Sequence, residues 1–224
     1  NLNTFRYLEK KAHVPFAFLD VPYSDDKESI AYLADQLRAF TKVLEERTGK
    51  TFQEEKLQKI LRTENETRRE LKKFFEYQKN YYYPGELISH LYMMMGMHLL
   101  IGTEEFLDLI RFMNEEIQQG EPFTGKKILW IHLLPFYQES LKEYFNSNRD
   151  YQIIASDIIL DFMDELDTEH PFEALAGKII KNLYNGSYAH KAEMIGQLAD
   201  RLKPDAVIHF CHWGCKQASG GSIL

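Results

Sequence analysis

Between residues 25 and 119 apolar positions recur at helical spacing, whereas after residue 126 they come in short unbroken runs, so a helical part precedes an alternating one. Ile30, Leu33, Leu37, Phe40, Val43 and Leu44 mark a first amphipathic helix, capped by Asp25-Asp26 and closed by Gly49. Thr51 with Glu54 has the form of a capping box for a second. That helix carries Leu57, Ile60, Leu61, Leu71 and Phe75 and is broken by Tyr81-Tyr82-Tyr83-Pro84-Gly85. A third holds Met93, Met94, Met95 and Met97 and ends at Gly102. The fourth starts at Thr103 with Glu104-Glu105, turns Phe106, Leu107, Ile110, Met113 and Ile117 inward, and stops at Gly120.

Pro122, Gly125 and Lys126-Lys127 mark a boundary. The run Ile128–Leu134 then reads as a buried parallel strand, Tyr151–Ala155 as a second and Ala206–Phe210 as a third. Helices are predicted at about 136–145, 172–184 and 188–203, and a loop entering a further helix at 219–224. Strands alternating with helices imply right-handed βαβ units and an open parallel sheet covered on both faces. The flavodoxin-like order 2-1-3 makes the first and third strands neighbours, with an apolar crevice at their carboxyl ends. Near the start, residues 5–12 read as a helix end and Val14–Pro22 as a strand with no partner nearby. An isolated strand leaves its backbone groups unpaired, so the 224 residues are expected to be part of a longer chain.

A formal net charge of −7, dispersed along the chain, argues against nucleic acid or an anionic membrane as the main partner. The longest apolar run, 92–101, contains His98 and falls short of the roughly 20 residues that span a bilayer. No signal peptide is visible, and two cysteines form no disulfide framework, which fits a reducing cytoplasm. Asn185-Gly186-Ser187 is read as a turn.

Cys211-His212-Trp213-Gly214-Cys215-Lys216-Gln217 is the one dense group of reactive side chains, and it directly follows the third strand. A thiolate there is a ligand for a soft metal or an iron–sulfur cluster, and Lys216 beside it favours the thiolate. The amides of Gly220-Gly221-Ser222 could receive an anionic ligand. The spacing is neither a zinc signature nor a redox Cys-x-x-Cys. Three readings therefore stay open: a cluster ligand, a redox pair, or a packed Cys211 with an idle loop at Cys215. His132 and His98 read as core histidines, and of His209 and His212 only His212 falls in the site. Asp20 and Asp157 follow strands, as catalytic carboxylates or as helix caps. No phosphate loop, dinucleotide fingerprint, nucleophile elbow or zinc-protease motif is present.

Val14–Pro22, the helical insertion, the Lys126–Trp130 strand entry and His212–Gln217 together resemble the 2-hydroxyglutaryl-CoA dehydratase D-component family, which includes the benzoyl-CoA reductases. The resemblance implies a subunit of two α/β domains. Residues 1–24 would be the tail of a first one, 25–121 a helical region and 122–224 part of a flavodoxin-like second. It implies a [4Fe–4S] cluster with Cys215 as a ligand, Cys211 structural, the other ligands outside this chain, and His212 as the one candidate catalytic side chain. It implies elimination of water from a 2-hydroxyacyl-CoA thioester through a ketyl radical formed by one-electron reduction. A homologous dehydratase subunit and a separate ATP-hydrolysing activator would be partners. The rival expectations are a benzoyl-CoA reductase-type subunit and a non-catalytic scaffold paralogue.

Overall fold

The computed structural model describes residues 2–13 and 16–220. Helix α1 (Leu2–Ala12) precedes α2 (Lys27–Thr48). Asp26 caps α2, its carboxylate accepting the Ser29 N–H at 2.7 Å, and Gly49 ends it with φ 66°. That left-handed conformation is free of strain only for glycine. Helix α3 (Glu54–Gln78) lacks the expected capping box. The Phe52 N–H donates instead to the Glu45 carboxylate at 2.6 Å, which ties the chain to α2 and delays the helix start to Glu54. Glu54 therefore sits in the first turn, where its charge offsets the helix dipole, and not one turn in. Helices α4 (Leu87–Leu100) and α5 (Glu104–Gln118) follow, the latter capped by Thr103. Residues 25–119 are thus helical as expected, and the one β-bridge that reaches them joins Tyr81 to Pro122.

The strand expected at Val14–Pro22 is not formed. Val14 and Pro15 lie outside the described residues, and residues 16–22 are extended but unpaired with any strand. Helix α2 takes the place of a sheet. The Gln36 side chain accepts the Asp20 N–H at 2.8 Å and donates to the Asp20 carbonyl at 3.0 Å, as a neighbouring strand would. Leu19 and Val21 pack against Leu33, Ala34 and Phe172, and Phe16 stacks on Phe5 of α1.

Strands β1 (Lys126–Ile131), β2 (Tyr151–Ser156) and β3 (Ala206–His209) form one parallel sheet in the order β2-β1-β3. Ile131 pairs with His209, so β1 and β3 end level. The intervening elements are α6 (Glu139–Phe145), a 3₁₀ turn (Asp157–Phe162), α7 (Pro171–Ile180) and α8 (Tyr188–Leu202), and the short α9 (Lys216–Ser219) closes the described chain. Strand β1 stops short of Leu134 because His132 turns to φ 74°. Leu129, Ile131 and Ile154 share a core with Leu71, Phe74 and Phe75 of α3, Ile110 of α5 and Leu198 and Leu202 of α8. Ile128, Trp130 and Ile153 face the other way, onto Leu87 and Met94 of α4 and Phe145 of α6. Coverage on both faces explains the unbroken apolar run of β1, and the methionine run serves as packing.

Candidate functional site at the carboxyl edge of the sheet

Because the strands are parallel, the segments that follow them gather at one edge, where ligand sites of such sheets form. His132 follows β1, Asp157 follows β2, and the cysteine loop follows β3. Asp157 is fully buried. One carboxylate oxygen accepts the His132 N–H at 2.8 Å and the Ser156 hydroxyl at 3.2 Å, and the other accepts the Tyr184 hydroxyl at 2.8 Å. Ser156, not Asp157, caps the 3₁₀ turn, so the carboxylate is left to face inward.

Lys191 of α8 is buried at 6% exposure, with its ammonium 4.4 Å from the centre of the Tyr184 ring. Burial holds its pKa below the usual lysine range, and the charges of Asp157, Cys215 and Cys211 oppose that fall. Burial also raises the Tyr184 pKa, reinforced by the charge of and the hydrogen bond to Asp157. The His132 ring is 6.1 Å from that of Tyr184 and 6.5 Å from that of His212. Burial pushes its pKa down, Asp157 pulls it up, and Lys191, His209 and His212 push it further down.

Cys215 is half-buried on the loop, its N–H donating to the His212 carbonyl at 3.0 Å. Tyr188 of α8 anchors the loop by donating to the Lys216 carbonyl at 2.7 Å. The expectation that Cys211 packs is corrected. Strand β3 is itself exposed to half-buried and ends two residues before it, so Cys211 continues no buried strand and is exposed, its sulfur 3.6 Å from His209 Nδ1. His212 is exposed with its ring against Phe210 and His132, and Trp213 is 92% exposed. The expected anion nest is not available as drawn: the Gly220 N–H donates to the Lys216 carbonyl at 2.8 Å, and Gly221 and Ser222 lie outside the described residues.

Two further readings change. His98 is not a core histidine; its ring is exposed and bonds the Met94 carbonyl at 2.8 Å, with Asp161 3.8 Å away. Asp20 belongs to the α2 contact, where it accepts from Tyr32. The groups brought together at this edge are polar: Asp157, His132 and Lys191 are buried there and Tyr184 is half-buried. Tyr184 and Lys191 escaped the sequence reading. Lys191 falls on the inward stripe of α8, in step with Ile195, Leu198 and Leu202, and a lysine on an apolar stripe is the signal that marks it.

Among the described residues, no group of three or more His, Cys, Asp or Glu side chains gathers as a metal-binding set. Two cysteines cannot supply the four thiolates of a cubane cluster. The donor chemistry therefore fits one corner of a cluster completed by ligands from elsewhere. No helix of the described residues is long and apolar enough to cross a membrane.

A three-stranded parallel sheet with buried polar groups and a cysteine loop at its carboxyl edge defines an α/β protein of the doubly wound kind. Residues 1–224 match the family 2-hydroxyglutaryl-CoA dehydratase, D-component, and the chain belongs to that family. It is accordingly a component of a dehydratase that works with partner subunits. No curated protein matches the chain.

Proposed function

We propose that this chain serves an iron–sulfur-dependent dehydratase that eliminates water from a 2-hydroxyacyl-CoA thioester. The observation that carries the reading is the placement of the half-buried Cys215 thiol on the loop after β3, a loop that Tyr188 holds against α8, the helix that carries the buried Lys191. Cys215 would give one thiolate to a [4Fe–4S] cluster, with the remaining ligands outside residues 1–224 and Cys211 not among them. When bound, such a cluster supplies a one-electron donor and a Lewis acid for the thioester oxygens.

The chain's own residues do the rest. Lys191 puts a positive charge at the edge of the sheet where a thiolate would bind iron. Asp157 fixes the backbone of His132 and the hydroxyl of Tyr184, so the crevice is set before a ligand arrives. Burial of these groups excludes water, which protects a reduced intermediate from stray protonation. His212, on the rim, is the candidate for proton transfer. Residues 1–24 would be the tail of a preceding α/β domain, and a separate ATP-hydrolysing activator would deliver the electron. Free thiols suit a reducing cytoplasm.

Anaerobic reconstitution of the full-length subunit with its partner tests the assignment. Cys215→Ala should lose iron and activity, while Cys211→Ala should keep both. Full iron in Cys215→Ala with loss in Cys211→Ala would exclude it.

A further inference from the structure

We infer that His132 is a ligand-contacting residue of the crevice, its ring hydrogen-bonding an oxygen of the bound small molecule. The inference rests on the dehydratase reading for the identity of that molecule, a 2-hydroxyacyl thioester, whose hydroxyl and carbonyl oxygens lie side by side.

The position comes first. His132 is the residue after β1, the central strand, and it faces the loop after β3. In the order β2-β1-β3 this is where connections leave the sheet in opposite directions, and the gap between them is where ligands bind. Backbone conformation is the second observation. His132 has φ 74°, in the left-handed region that few residues other than glycine adopt, asparagine, aspartate and histidine most often. It is held there by the buried Asp157 carboxylate, which accepts its N–H at 2.8 Å. Non-glycine residues held in this region gather at functional positions.

The third observation is the ring itself. His132 is 6% exposed, yet its Nδ1 has no hydrogen-bond partner among the described residues. Asp157 does not serve it, because its two oxygens hold the His132 N–H, the Ser156 hydroxyl and the Tyr184 hydroxyl. An imidazole nitrogen buried without a partner is costly unless a ligand completes it. Burial lowers the pKa of the ring and so favours the neutral form, in which one nitrogen donates and the other accepts. A neutral donor–acceptor suits a carbonyl or hydroxyl oxygen.

The test is calorimetric binding of 2-hydroxyglutaryl-CoA and of coenzyme A alone to the intact anaerobic dehydratase complex. His132→Gly keeps the backbone conformation without strain and removes the ring. It should bind the thioester about tenfold more weakly than the parent, the equivalent of one hydrogen bond. Coenzyme A, which lacks the acyl oxygens, should bind both equally. Should His132→Gly fail to fold, His132→Asn, which tolerates the same φ, decides. Equal thioester binding by parent and variant overturns the inference and leaves the dehydratase reading standing. A parent complex that binds no 2-hydroxyglutaryl-CoA overturns that reading, and the inference falls with it.

Discussion

Asp157→Asn is the most informative single substitution at the carboxyl edge, because it conserves shape while it removes the charge and turns one accepting oxygen into a donor. The carboxylate is fully buried and holds the His132 N–H and the Tyr184 hydroxyl, both at 2.8 Å. A hydrogen bond to a charged acceptor is worth about 1.5–3 kcal/mol, and a neutral one about 0.5–1.5 kcal/mol. With asparagine the His132 bond becomes neutral and the Tyr184 hydroxyl has to accept from the amide instead of donating, so each bond loses roughly 1 kcal/mol. Lys191, itself buried, loses a nearby counter-charge, which adds about 1 kcal/mol more. The expected loss is therefore about 3 kcal/mol, or about 6–12 °C in Tm for a chain of this size. Thermal melting followed by circular dichroism reads it. Asp108→Asn, at a side chain 72% exposed, is the control and should change little. The double variant Asp157→Asn with Lys191→Met should be less destabilised than the sum of the singles, since the two charges are removed together. The reasoning fails if Asp157→Asn melts with Asp108→Asn, or if the two single effects simply add.

Two other predictions concern parts away from the crevice. The His90 ring packs against Tyr83, and burial lowers its pKa from 6.5 to about 4. The unfolded chain therefore takes up a proton that the folded one refuses, and stability should fall as pH drops from about 6.5 to about 4. His132 and His209, also lowered, slope the same way, so the measurement is the difference between parent and His90→Phe, whose pH–Tm curve should be flatter. A Cβ at Gly125 would lie 2.5 Å from the Arg149 carbonyl and 2.7 Å from that of Asp150, whereas one at Gly196, inside α8, would meet nothing within 4 Å. In urea titrations Gly125→Ala should lose about 2 kcal/mol or more by steric clash. Gly196→Ala should gain about 0.5–1 kcal/mol through helix propensity.

The elements legible in the sequence are those whose pattern is local. Asp26, Gly49 and Thr103 act as helix punctuation because caps depend on neighbours a few residues away. The parallel sheet followed from the alternation of strands and helices, a topological constraint rather than a local one, and the order β2-β1-β3 is that of the flavodoxin-like fold expected for it. The run at 16–22 misled because an apolar extended segment looks the same whether a strand or a glutamine side chain completes its hydrogen bonds. The capping box at Thr51 failed for a similar reason, since Glu45, seven residues before Phe52, claimed that backbone. The site was half legible. The cysteine loop and Asp157 stand directly after strands, where parallel sheets place ligand groups. Tyr184 and Lys191 lie 27 and more residues further on than Asp157, and only the packing of α8 across the sheet brings them in.

The two tryptophans occupy opposite extremes of this structure. Trp130 is 1% exposed in the middle of β1, edge-on to Phe145 and donating to the Leu133 carbonyl at 3.1 Å. Trp213 stands 92% exposed on the loop between the cysteines. Light emitted by the protein therefore has two separable sources, one in an apolar, rigid setting and one in water. A quencher in solution reaches only the second. Whatever seats itself on the cysteine loop will dim, shift or shield that emission and leave the first unchanged, so the chain carries its own optical reporter of the site beside an internal standard of its fold.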